Sequence, residues 1–140
     1  MSPLKWNSEG WGITHNYTHF FISDGSYKIY VTDEELNILE TLRVVDQRGN
    51  TVQYLNELEW AQEGTTQFIY ANVYFQNSIY KINLQGRVVE LIDMSGVVTR
   101  ELAKGGLQYG EVLNGIAISE GKMIATGKHW KLFFSSDLCD

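Results

Sequence analysis

The residue types that do chemistry are present in this chain, but mostly not at the spacings that the common motifs need. His15 and His19 stand four apart, yet HNYTH carries no glutamate and reads as a turn, so it does not make a zinc site. Gly121 and Gly127 precede Lys128 with one residue too many between them for a phosphate loop, and His129 stands where a Ser or Thr would hold magnesium. There is no Gly-x-Ser-x-Gly elbow. The single cysteine, Cys139, excludes an internal disulfide framework and a Cys-based zinc cluster, and nothing local activates it. Asn16-Tyr17-Thr18 matches a glycosylation sequon, which matters only for a secreted chain. What remains is a recurring set of polar residues: Glu9, Asn56, Glu57, Glu59 and Asn114, with Trp11 beside Glu9 and Lys128 in a later loop. Two readings are open for them. They line a ligand site, or they hold turns through backbone hydrogen bonds.

The elements that must position these residues are short strands. FFISDGSYKIYV at Phe20–Val31 alternates on both sides of Asp24-Gly25, a hairpin signal. QFIYANV and SIYKINL flank Gln76-Asn77, and KMIATG leads through His129-Trp130 to KLFF. A short segment precedes each hairpin: EGWGIT at Glu9–Thr14, NELEWA at Asn56–Ala61 and NGIAIS at Asn114–Ser119. NILETLRVV and GRVVELID follow the first two hairpins as fourth strands. The same four-part unit therefore recurs, with intervals of 47 positions from Glu9 to Asn56 and 58 from Asn56 to Asn114. Periods of about 40–50 residues with four strands each are the signature of β-propeller blades. A short helix inserted at Ser95–Gly106 accounts for the longer interval. The expected architecture is all-β, with blade-like units at about 9–52, 53–106 and 107–140. A β-sandwich or meander is the alternative.

Composition agrees with that class. Hydrophobic residues make up 44%, and there are eighteen aromatics, thirteen glycines and one proline, a profile of short strands and tight turns. No apolar run approaches the roughly 18–20 residues of a membrane span. MSPLKWNSEG has no apolar stretch of the kind a secretory signal carries, and the compartment stays open. The net charge of −6 lacks the basic footprint of a nucleic-acid binder and suits cationic partners, such as peptides with a free amino terminus. Propellers close with four or more blades, whereas this chain holds a little under three. The chain is therefore expected to self-associate, pair with a complementing half-propeller, or belong to something longer. Two copies offer nearly six blades, which disfavours homodimer closure.

Three motifs, in order, carry a resemblance: EGWGIT with SDGS, LNELEW with IYANVY, and VLNGIAI with TGKHW. From Glu9 to about Phe134 the chain resembles the plant and bacterial type of glutaminyl-peptide cyclotransferase (glutaminyl cyclase). The resemblance implies a five-bladed β-propeller, conversion of N-terminal glutamine to pyroglutamate with release of ammonia, and peptide or protein N-termini bearing Gln as substrates. No metal and no cofactor are implied. It further implies that Trp11 walls the substrate pocket, that Asn56 hydrogen-bonds the γ-carboxamide or its developing oxyanion, and that Lys128 supplies positive charge there. Glu9 would bind the α-ammonium or tune the site, and Tyr74, in place of the family's Trp, keeps an aromatic wall. Asn114, at the start of the third inner segment, is counted with the substrate-binding residues. The family's Gln-Gly and Phe-Gly-Glu-Gly motifs, the latter carrying the expected proton-shuttling glutamate, have no counterpart here. The chain thus reads as the C-terminal portion of such an enzyme, about three of five blades. A non-catalytic peptide-binding module and a truncated gene product are the competing readings.

Overall fold

The computed structural model describes residues 3–96, 113–127 and 134–137. They form three antiparallel sheets. The first has the order β1-β2-β3-β4, from Gly12–His15, Phe20–Ser23, Lys28–Thr32 and Ile38–Arg43. The second repeats that plan as β5-β6-β7-β8, from Leu55–Glu63, Thr66–Val73, Ser78–Asn83 and Val88–Asp93. The third contains β9 (Leu113–Ser119), β10 (Lys122–Gly127) and β11 (Phe134–Asp137), with β10 in the middle.

Each strand expected from alternation falls on or within two or three residues of an observed one. The exception is the last hairpin: Phe134 pairs with Ala125, so β11 starts at the final residue of KLFF. His129-Trp130, the expected turn, lies outside the described residues. Ser95 and Gly96 are helical, and the rest of the expected helix also lies outside them.

The second sheet is buried on both faces, and its period-2 pattern shows why. Ile69, Ala71, Val73 and Ile82 pack with Phe21, Ile29 and Leu42 of the first sheet. Tyr70 and Ile79 turn the other way, against Leu113, Ile116, Met123 and Ala125 of the third. Burying each such side chain is worth about 1.5–3 kcal/mol relative to exposure. These two cores bring the first strands β1, β5 and β9 side by side.

Candidate active site

Cross-strand register makes positions in the three sheets equivalent. Gly12 faces Ser23 on β2, and Ile116 faces Ala125 on β10. On β5 the ladder shifts between Leu55 and Leu58, leaving Asn56 and Glu57 in an irregular step. Carrying the register across aligns Trp11, Asn56 and Asn114 as one set, and Gly12, Glu57 and Gly115 as the next. One aromatic and two amides thus stand at the same level of three adjacent first strands.

Each is held by its neighbours. Trp11 donates its backbone N–H to the Ser23 carbonyl at 3.0 Å. Its indole lies over Gly25, where a Cβ would come within 2.5 Å of the ring and φ is +84°. The Tyr74 ring meets Trp11 edge-on, 5.9 Å between centroids, and packs on Phe75 at 4.2 Å. The Asn56 carbonyl accepts the Ser23 hydroxyl at 2.6 Å. Gly12 approaches that same carbonyl so closely that no Cβ fits. The Asn56 side chain donates from Nδ2 to Oδ1 of Asn114 at 3.2 Å, 58 residues away.

The structure therefore brings together Trp11, Asn56 and Tyr74 around the start of β1 and β5, with Asn114 bonded to Asn56. Glu9 is exposed, and among the described residues no hydrogen bond or ion pair ties it to this group. Lys128 lies outside the described residues.

Sequence reasoning passed over one residue here. Asn72 is fully buried on β6. Its Oδ1 accepts the Glu57 N–H at 2.7 Å and its Nδ2 donates to the Leu113 carbonyl at 2.7 Å. The available signal was an amide inside the apolar run FIYANV, since a buried amide must find partners.

Two carboxylates on β5 are half-buried. Burial raises the pKa of Glu57, opposed by the Leu58 N–H. Burial also raises that of Glu59, opposed first by the Ile118 N–H that its carboxylate accepts, while the Glu57 charge adds to the rise. Glu59 lines an open cleft of about 940 Å³ with His15, Trp60 and Lys81. That cleft runs along the later residues of β1, β5 and β9 and does not include Trp11, Asn56, Tyr74 or Asn114. Among the described residues no cluster of three His, Cys, Asp or Glu could hold a metal ion.

Comparison with known proteins gives the family of the chain. The family model described as glutamine cyclotransferase matches residues 1–138. The chain belongs to the glutamine cyclotransferase family. It is 32% identical to a glutaminyl-peptide cyclotransferase of Arabidopsis thaliana over 142 residues, covering 99% of this chain and 43% of that protein. The crystal structure of Myxococcus xanthus glutaminyl cyclase superposes with a TM-score of 0.85 at 30% identity, covering 96% of this chain and 57% of that one. The chain thus spans under half the length of the curated relative and somewhat over half of the solved structure.

Proposed function

We propose that this chain contributes part of the active site of a glutaminyl-peptide cyclotransferase, acting on peptide or protein N-termini that bear Gln. The observation that carries the reading is the level set of Trp11, Asn56 and Asn114 with Tyr74 on Trp11. It fits a reaction that needs positioning more than a nucleophile. The substrate's α-amine attacks its own γ-carbonyl carbon and forms the ring C–N bond. The carbonyl oxygen becomes an oxyanion, the bond to the amide nitrogen breaks, and ammonia departs. The α-nitrogen loses a proton and the leaving nitrogen gains one.

Trp11 and Tyr74 hold the side chain folded for that attack. Asn56 hydrogen-bonds the γ-carboxamide, and Lys128 stabilises the oxyanion by charge. Glu9 attracts the α-ammonium. In this reading the proton is moved by the glutamate expected in the family's Phe-Gly-Glu-Gly motif, which has no match in this sequence and which the remaining portion of a relative supplies in the test below. In this reading the three sheets are blades of a five-bladed β-propeller, with units at about 9–52, 53–106 and 107–140.

The test is ammonia release from a Gln-initiated peptide, with chelator present. It is run with this chain alone and with the chain mixed with the remaining portion of a relative. The mixture should turn over, and Asn56→Ala should lower its rate by about 10²–10³-fold, as for loss of an oxyanion donor. Turnover untouched by Asn56→Ala, or no turnover from a well-folded mixture, overturns the reading.

A further inference from the structure

Asn56 is held at its backbone carbonyl, which accepts the Ser23 hydroxyl, and at its side-chain amide. Its amide uses Nδ2 on Oδ1 of Asn114. The backbone beside each of the two asparagines is clamped by a single buried group, the Asn72 amide, through the Glu57 N–H and the Leu113 carbonyl. Asn72 has no exposed surface, and its partners take one hydrogen bond at each end of its amide. An amide so placed cannot rotate without breaking two bonds, so it ties Asn114 to β5 at a fixed distance. Asn114 offers an acceptor to Asn56, and that choice decides which way the Asn56 amide faces. Among the described residues Oδ1 of Asn56 has no hydrogen-bond partner.

We infer that Asn114 is a positioning residue that fixes the orientation of the Asn56 amide, and that this orientation makes the site select a γ-carboxamide over a γ-carboxylate. The inference rests on the proposed function above. With one Nδ2 proton committed to Asn114, Asn56 presents one N–H and one carbonyl oxygen. A γ-carboxamide answers both, with its own carbonyl and its own N–H. A γ-carboxylate has no donor for Oδ1 and sets two acceptors against each other. An Asn56 released from Asn114 can turn to offer both N–H groups to a carboxylate, and selectivity falls. Sites built to hydrogen-bond a substrate N–H reject the analogue that lacks it far more strongly than apolar pockets reject a missing methylene.

The probes are the tripeptides Gln-Ala-Ala and Glu-Ala-Ala, titrated into the ¹⁵N-labelled chain. The same spectra report the peptide dissociation constants, any cyclisation of the Gln peptide and the exchange protection of the Asn56 side-chain amide. In Asn114→Ala that protection should be lost, and the preference for Gln over Glu should fall about tenfold, the loss of one matched hydrogen bond. Asn114→Asp keeps the acceptor and should keep both the protection and the preference. Unchanged Asn56 protection in Asn114→Ala overturns the inference. So does lost protection with an unchanged preference. If the unaltered chain binds neither peptide, alone or mixed with the remaining portion of a relative, the proposed substrate is wrong and the selectivity claim falls with it. The exchange data then still decide whether Asn114 orients Asn56.

Discussion

The two seams between neighbouring sheets are built on one plan with different side chains. At the first, Ser23 on β2 donates to the Asn56 carbonyl at 2.6 Å, and Thr14 on β1 accepts the Trp60 N–H at 3.0 Å. At the second, Asn72 on β6 donates to the Leu113 carbonyl at 2.7 Å, and the Glu59 carboxylate on β5 accepts the Ile118 N–H. The register makes Ser23 equivalent to Asn72, and Thr14 equivalent to Glu59. Hydroxyls serve where β1 lies tight on β5, with Gly12 against the Asn56 backbone. A longer amide and a carboxylate serve at the other seam. The difference has consequences. The first seam has no titrating group in its two links, whereas the second does. The amide also reaches two strands at once, which lets it hold Asn56 and Asn114 in place together.

The largest test of this comparison is Asn72→Leu. It keeps the volume but strands the Glu57 N–H and the Leu113 carbonyl, and should cost about 3 kcal/mol in urea unfolding. An effect no larger than that of Ser23→Ala would show that the second seam does not depend on its amide. Next comes Gly12→Ala. Its new methyl meets the Asn56 carbonyl of the backbone, and overpacking of this kind should cost about 2 kcal/mol. Gly115→Ala crowds the Thr126 Cγ2 methyl at 2.9 Å, which can shift, and touches the Thr126 carbonyl at an ordinary 3.8 Å, so it should cost less than about 1 kcal/mol. Equal midpoints for the two alanine variants would erase the contrast in closeness. Ser23→Ala removes one donor from the Asn56 carbonyl and should cost about 1 kcal/mol in the same assay.

The smallest effect is the most specific. The folded pKa of Glu59 is raised, so its contribution to stability is full below the usual carboxylate range and is lost as pH rises through the raised value. Glu59→Gln keeps an acceptor for Ile118 and removes that loss. Its Tm should match that of the unaltered chain near pH 4 and exceed it slightly at pH 7. Thr14→Val, at the first seam, should lower Tm equally at both pH values. A Glu59→Gln Tm difference that does not change with pH would mean that the second seam does not titrate.

Much of this was legible in the sequence. Alternation and turn residues are local, so they reported strands such as Lys28–Thr32 and Ser78–Asn83, and the recurrence of LNELEW and LNGIAI marked the equivalent first strands. EGWGIT and LNELEW pointed to Trp11 and Asn56. The tertiary structure alone decided how those residues meet. Asn56 finds Asn114 across 58 residues, and the irregular step between Leu55 and Leu58 sets the level at which it does so. A one-residue change of register would turn every side chain on β5 to the other face, and nothing local to LNELEW fixes that register. Asn72 looked like an interruption in an apolar strand because its two partners lie on other strands. Glu9, the first residue of EGWGIT, is exposed because sequence proximity to Trp11 does not set direction. Strand pattern is a property of neighbours along the chain. A hydrogen bond between sheets is a property of how two cores pack, and only the folded molecule determines it.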